Sequence, residues 1–399
     1  MNIFKLFKAN GYNKKIAKEK VIIVDSTFPQ LVPFGFRNRE IAEYLRSYDF
    51  IKSYTMPRLY PDKEAWFSHP YGMTFKQFKT NKEKYLEYYP EIDPGKIQFF
   101  HSDACLGADL SYSFFLAETY TLLPLLEKNK IPFVFVLYPG GAFGIDFDKS
   151  DIMLQRIFSS EYFRKVIVTQ EITKKYLLSK SLCHEDSIEY IYGGFIQFDK
   201  NQIMHKKKYQ IEKKSFDICF VAAKYSDRGV DKGYDLFIEC AKILCRKYND
   251  IYFHIVGNWD KDDIDVSDIE DRVFFYGLRR PDFFPEFYSS MDIFLSPNRP
   301  FKLFPGNFDG FPLGADASFH GVALFLSDEL KINTEYDSNE IVIVNADVED
   351  IVSKINYYYD NIDQLYRISY SGQYKTHQLF STELQIEKRI KIFENFIER

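Results

Sequence analysis

The stretch from Phe308 to Asp328, FDGFPLGADASFHGVALFLSD, places Asp309 and Asp316 seven residues apart, on either side of a glycine-rich bend. Gly310 and Gly314 permit a sharp turn and a close approach of backbone to a ligand. The main chain from Gly310 through Phe311, Pro312 and Leu313 to Gly314 leads into a short helix expected over Ala315 to His320. The N–H groups that open such a helix form an anion site, and the two carboxylates can hold hydroxyls. Phosphate next to hydroxyls describes an activated sugar. Asp309 as a turn residue and Asp316 as a helix-initiating acid favoured by the helix dipole form the structural alternative. Gly321 reads as the C-cap of the helix, and Val322 to Leu326 as a short buried strand.

The elements that must position these residues alternate strand and helix. Apolar runs at Val21 to Asp25, Ile97 to Phe100, Phe133 to Leu137, Val166 to Thr169 and Ile188 to Tyr192 read as strands. Helical patterns at Arg37 to Arg46, Tyr112 to Glu127 and Glu171 to Leu178 separate them, implying a parallel sheet. From Phe198 to Ser215 the sequence becomes lysine-rich and loses its apolar pattern, as a linker does. A second alternation follows, with strands Phe216 to Ala222, Tyr252 to Val256, Val273 to Tyr276 and Ile293 to Ser296, and helices Gly233 to Tyr248 and Pro281 to Ser290. Leu236, Phe237, Cys240, Ala241 and Leu244 form the buried stripe of the first of these helices. Glu383 to Arg399 reads as a final helix, long enough to pack across a neighbouring domain.

At 399 residues the chain has room for two domains of about 150 to 200 residues each. A net charge of −5 removes any global electrostatic argument for nucleic acid. The high counts of Phe (40) and Tyr (30), in a chain also rich in Lys, Asn and Ile, read mainly as coding bias, with extra aromatic core and sugar-stacking faces as lesser contributors. Cys105, Cys183, Cys219, Cys240 and Cys245 show no CxxC pair and no metal-ligand spacing, which points to reduced cytoplasmic thiols. No run approaches 18 apolar residues, and the N-terminus lacks the apolar core of a signal peptide. Phe4, Leu6 and Phe7 lie near Lys5, Lys8, Lys14, Lys15, Lys18 and Lys20, so the N-terminus reads either as a solvated tail or as a contact with an anionic membrane surface. Acids such as DKDDID, Asp260 to Asp265, sit in a polar loop and make no convincing metal site.

Four segments in order, FVAAKYSDRGVDKGYDLF (Phe220 to Phe237), FHIVG (Phe253 to Gly257), VFFYGLRRPDFFPEFYSSMDIFLSPN (Val273 to Asn298) and the opening motif, resemble the signatures of the retaining GT-B glycosyltransferases called family four. The resemblance covers roughly Phe216 to Asp328. It implies an α/β fold with two Rossmann-like domains facing across a cleft, an acceptor-binding domain over 1–205, a nucleotide-sugar donor domain over 206–380, and a helix over 381–399 crossing back to the first domain. Lys232, with Arg228 or Lys224, is implied as the cationic pair neutralising the diphosphate as the glycosidic bond breaks. The family carries arginine five residues before the lysine, and Asp227 stands there in this chain. Asp316 is implied to hold the ribose and Asp309 the sugar near the reacting face, both shorter than the family's glutamates. Gly277, Leu278 and Arg279 are implied against the base, with Asn298 and Arg299 as pocket residues.

On the acceptor side the candidates are Arg37 and Arg39, His101, and Gly140, Gly141 and Gly144 after a strand, at the carboxyl ends where such sheets bind ligands. His101 reads more readily as a satisfied structural histidine than as a stand-in for the family's catalytic-region histidine, which has no counterpart here. The expectation is a retaining transferase that moves a sugar from a nucleoside-diphosphate donor to a glycan or lipid-linked acceptor in cell-surface polysaccharide assembly. It would need no cofactor and no metal, bind no nucleic acid, and work in the cytoplasm, including the inner face of the membrane. The alternative of a different class is a non-catalytic sugar- or nucleotide-binding module. Slow release of nucleoside diphosphate from a donor separates the two.

Overall fold

The computed structural model describes residues 19–32, 35–100, 107–196, 198, 200–309 and 314–397. The first half contains strands β1 (Glu19–Asp25), β2 (Ile51–Thr55), β3 (Ile97–Phe99), β4 (Ala108–Phe114), β5 (Phe133–Leu137), β6 (Phe163–Val168) and β7 (Ile188–Tyr190). Helices α1 (Gly35–Ser47), α2 (Phe75–Tyr88), α3 (Leu116–Lys128), α4 (Asp148–Phe158) and α5 (Glu171–Ser179) connect them. The seven strands form one sheet in the order β3-β2-β1-β4-β5-β6-β7, every pair parallel. A parallel sheet covered on both faces needs apolar residues at consecutive positions. Phe133 to Leu137, FVFVL, is buried at every position.

The second half contains β8 (Phe216–Val221), α6 (Tyr234–Lys247), β9 (Ile251–Val256), β10 (Val273–Phe275), α7 (Phe284–Ser290), β11 (Ile293–Ser296), α8 (Ala315–Phe319), β12 (Ala323–Ser327), β13 (Val342–Val344), α9 (Val348–Asp360), α10 (Ile362–Leu379) and α11 (Thr382–Glu394). Six strands form a second parallel sheet, ordered β10-β9-β8-β11-β12-β13. In both sheets the order reverses beside the first strand, between β1 and β4 and between β8 and β11. Such switch points open a crevice at the carboxyl ends of the strands, where ligands bind in this architecture.

One expected helix starts too early. Tyr112 to Phe114 belong to β4, with Ser111 and Ser113 buried alongside them between β1 and β5, and α3 begins only after Phe115 turns to a positive φ of 58°. The helical spacing of Leu116 onward runs on backward into a strand that its two neighbours impose. Strand β2 and helices α2, α4, α9 and α10 have no counterpart in the expectation. The lysine-rich N-terminus before residue 19 and Arg399 lie outside the described residues.

Helix α11 packs on the first sheet's domain. Phe393 lies 5.0 Å from Tyr112 and 5.7 Å from Tyr44, ring centre to centre. Arg389 is fully buried, 3.4 Å from Glu40, and its guanidinium lies over Phe195. Glu40 also accepts hydrogen bonds from the hydroxyls of Tyr44 at 3.1 Å, Tyr112 at 2.8 Å and Tyr138 at 3.0 Å. Burial by itself would lower the Arg389 pKa, but Glu40 and the surrounding tyrosine oxygens outweigh it and raise it. A second buried cluster closes the carboxyl end of β1. Arg37 of α1 reaches Glu118 of α3 at 2.6 Å and Asp25 at 3.0 Å, and Ser26 donates to Glu118 at 2.6 Å. Burial first, and then the charge of Asp25, push Glu118 up to about 7 despite Arg37.

Arg389→Ala leaves Glu40 buried without its counter-charge and should cost about 3–5 kcal/mol, read by chemical denaturation, with Arg389→Met plus Glu40→Gln recovering part of the loss. At Glu118 the native state keeps a proton that the unfolded chain releases at a lower pH. Its contribution is therefore complete in acid and declines as pH rises from about 4.5 to about 7. Melting curves across that window should show wild type losing stability relative to Glu118→Gln, and parallel curves would contradict the assignment.

Candidate active site

A cavity of about 880 Å³ opens between the carboxyl ends of the two sheets. The first sheet contributes Ser26 and Thr27 after β1, Arg58 after β2, Phe115 and Glu118 after β4, and Tyr138 to Gly141 after β5. The second contributes Val221, Ala223, Asp231 and Lys232 after β8, and Phe304, Phe308, Asp309, Gly314 and Asp316 after β11. Both switch points therefore empty into one space.

The best-defined pair in it is Lys232 with Asp309, whose ammonium and carboxylate form a direct ion pair. Burial works against the Lys232 charge, but Asp309 by charge and hydrogen bond, with Asp231 and Tyr225 behind it, raises the pKa above the ordinary lysine value. Lys232 sits one residue before Gly233, the N-cap of α6, so the ammonium and the positive end of a helix 14 residues long share one corner. Helix α8 is only five residues, which limits what its dipole can add. Gly314, its N-cap, is left-handed (φ 76°), and α8 closes through Gly321, whose N–H donates to Ser318 O at 2.8 Å.

Asp309 is delivered by a loop from the second domain that docks on the first. Ile145 N–H donates to Gly306 O at 2.8 Å, and a Cβ at Gly306 (φ 81°) would lie 2.3 Å from Ile145 O, so no side chain fits there. Phe304 packs between Trp66 and Phe147 at 5.2 and 5.6 Å, and Phe308 joins the first domain's core against Phe143. Gln170 of the first domain donates to Asp309 O at 3.2 Å.

The cavity gathers Lys232, Asp309, Gly314, Asp316, Arg37, Gly140 and Gly141. Leu278 and Arg279 lie on an adjoining recess of about 140 Å³ with Gly257 and Ala222, and Val221 and Ala223 line both spaces. Gly277 flanks that recess and accepts from Gly257 N–H at 3.1 Å. Lys224, Arg228, Asn298 and Arg299 lie outside the lining of both spaces. The Lys224 ammonium is paired with Asp263, and its N–H donates to Asn258 at 2.8 Å. Arg228 is exposed on a left-handed turn (φ 50°). Asn298 is buried behind β11, donating to Ser296 Oγ at 2.8 Å, and Arg299 is held by Asp235 at 2.6 Å. His101 and Gly310, Phe311, Pro312 and Leu313 lie outside the described residues.

Arg58, His69 and Tyr71 line the cavity without having been expected there. The one available signal was the run of residues between Thr55 and Phe75 too long for an ordinary strand-to-helix link. Among the described residues, no three His, Cys, Asp or Glu side chains group as metal ligands, and no helix is long and apolar enough to cross a membrane.

Residues 215–361 match the family model of glycosyl transferases group 1. No curated protein sequence matches the chain. Among solved structures, a sucrose-phosphate synthase from Thermosynechococcus elongatus is 12% identical with a TM-score of 0.66, covering 95% of this chain and 99% of its own. Anabaena HepE in complex with UDP is 15% identical with a TM-score of 0.64, covering 94% and 99%. A glycosyltransferase from Rickettsia africae is 14% identical with a TM-score of 0.62, covering 96% and 99%. At such identities the likeness carries the two-domain fold along almost the whole chain. The likeness gives the whole chain a two-domain fold of the GT-B type, and within it residues 215–361, over the second sheet, match the group 1 glycosyl transferase model.

Proposed function

We propose that the protein is a retaining glycosyltransferase that moves a sugar from a nucleoside-diphosphate donor to a glycan or lipid-linked acceptor, in the assembly of a bacterial-type surface polysaccharide. The observation that carries this reading is the Lys232–Asp309 ion pair at the meeting point of the two switch-point crevices. HepE, a similar fold, has been solved in complex with UDP-glucose, which supports a nucleotide-sugar donor here. Residues 206–380 form the donor side, 1–205 the acceptor side, and 381–399 tie the two together.

In this reading the base occupies the recess beside Leu278 and Gly277, Asp316 holds the ribose, and the diphosphate lies between Lys232, the start of α6 and Gly314. Donor binding replaces the internal ion pair: Lys232 turns to the phosphate, and Asp309 takes sugar hydroxyls. As the bond from the anomeric carbon to the phosphate oxygen breaks, negative charge grows on that oxygen, and a fixed cation beside it lowers the barrier. The acceptor oxygen forms its new bond on the same face, and its proton passes to the departing phosphate. Arg37, Gly140 and Gly141 border the acceptor side. Lys224 and Arg228, outside the cavity lining, act at its rim. The reaction uses no resident cofactor or metal. The protein works in the cytoplasm, with the basic N-terminus as a contact to the membrane surface.

With a donor chosen from a sugar-nucleotide panel by thermal stabilisation, Lys232→Ala should lower turnover about 100-fold, and Asp316→Ala should weaken donor binding about tenfold, about 1.4 kcal/mol. Unchanged turnover in both would end the assignment, and saturable binding without release of nucleoside diphosphate would favour the binding module. Activity undiminished in chelator supports a metal-free reaction, and loss restored by a divalent ion refutes it. Gly306→Val should lower turnover at least tenfold while the fold is retained by circular dichroism, because the loop that presents Asp309 can no longer dock.

A further inference from the structure

The connection from β2 to α2, residues 56–74, is 19 residues long, where strand-to-helix links in such sheets usually take about 2–6. It contributes no strand to the sheet, yet it is built rigidly. Leu59 and Tyr71 exchange backbone hydrogen bonds at 2.7 and 2.8 Å, and Met73 N–H donates to Met56 O at 3.1 Å. Gly72 (φ 90°) lies so close to the outgoing chain that a Cβ would stand 2.2 Å from Pro57 O. Farther out, Tyr120 donates to both oxygens of Asp62 at 3.0 and 3.1 Å, and Trp66 Nε1 donates to Ala142 O at 3.3 Å. Long ordered connections of this kind are usually functional.

The side of this excursion that faces the cavity carries Arg58, His69 and Tyr71. His69 and Tyr71 lie 5.1 Å apart, ring centre to centre. The other cavity cations are already engaged: Arg37 by Glu118 and Asp25, Lys232 by Asp309. Arg58 is exposed and, among the described residues, its guanidinium meets no hydrogen-bond or ion-pair partner. An arginine fork left open in a cavity matches a carboxylate or phosphate held by two parallel hydrogen bonds. Aromatic rings beside it offer an apolar face to the rest of a sugar.

Resting on the transferase reading, we infer that the 57–73 excursion is the acceptor platform and that the acceptor is an anionic saccharide, its phosphate or carboxylate taken by Arg58 and its ring lying along His69 and Tyr71. A donor diphosphate carries the same chemistry. Arg58, however, stands at the end of β2 in the first domain, whereas the donor's cation, Lys232, follows β8 in the second. The two sources predict different losses on substitution.

The full chain, saturated with UDP, is titrated calorimetrically with glucose 6-phosphate, glucuronate and glucose. Wild type should bind the two anionic sugars at least tenfold more tightly than glucose, with the preference falling as salt rises. Arg58→Gln should abolish the preference and Arg58→Lys keep part of it, while affinity for UDP shifts less than twofold. Equal binding of all three sugars, or no sugar binding at all, overturns the inference. So does an Arg58→Gln variant that loses UDP affinity while keeping the sugar preference, since the arginine then serves the donor. Where the panel selects another base its nucleoside diphosphate replaces UDP; failure of wild type to bind any of them counts against the transferase reading instead, and the sugar titration without nucleotide still reports on Arg58.

Discussion

Asp309 is held from both domains at once. Its carbonyl accepts from Gln170 on the first domain, and its carboxylate is paired with Lys232 on the second. The loop that carries it is pinned by a backbone hydrogen bond at Gly306 and by Phe304 and Phe308 seated among first-domain aromatics. A side chain that is to meet a ligand in the cavity must be placed to within a fraction of an ångström, and a loop anchored on one domain alone would follow every small rotation between the two. Docking across the cleft ties the position of the carboxylate to the placement of both domains.

The walls that this loop closes against are stiffened by buried charge. Glu40 gathers three tyrosine hydroxyls and Arg389, joining α1, β4, the end of β5 and α11. Asp25, Arg37 and Glu118 do the same at the end of β1. Such clusters are costly to desolvate, and they persist where each member keeps its partners. Here they hold the carboxyl ends of the first sheet's strands, where the cavity lies, in one arrangement. The second domain has a buried cluster of its own, in which Lys213 pairs with Asp217 and Asp292, and Tyr234 stacked on Trp259 beneath the start of α6 supports Lys232.

Much of the architecture was legible from one-dimensional pattern. Strand Ile293–Ser296 and helix Glu171–Ser179 appear where their apolar spacing put them, because buried parallel strands and amphipathic helices leave different periods. The boundary at Tyr112 was not, since a strand whose buried positions include serines carries no apolar run. Among site residues, Asp309 and Asp316 were legible from residue type and spacing beside glycines, Lys232 only through the family resemblance, and the structure brings the three to one cavity. Lys224, Arg228 and Asn298 lie near the same motifs in sequence yet outside that cavity, because an ion pair, a left-handed turn and a buried hydrogen bond occupy them elsewhere. Arg58 shows the converse, since nothing in its local sequence separates it from a solvated surface arginine.

The sequence by itself determined the two alternating α/β units and the acids set among glycines ahead of α8, because periodicity, turn chemistry and charge are local properties of a chain. Only the tertiary structure decided which charges are already neutralised, which loop bridges the domains and which residues share the cavity. Those outcomes depend on partners brought from tens to hundreds of residues away, as Glu118 is to Arg37 and Asp309 is to Gln170. The physical reason is that a charge or a hydrogen-bond donor takes its meaning from what stands within a few ångströms of it, and in a parallel sheet those neighbours are set by crossovers that no short window of sequence contains.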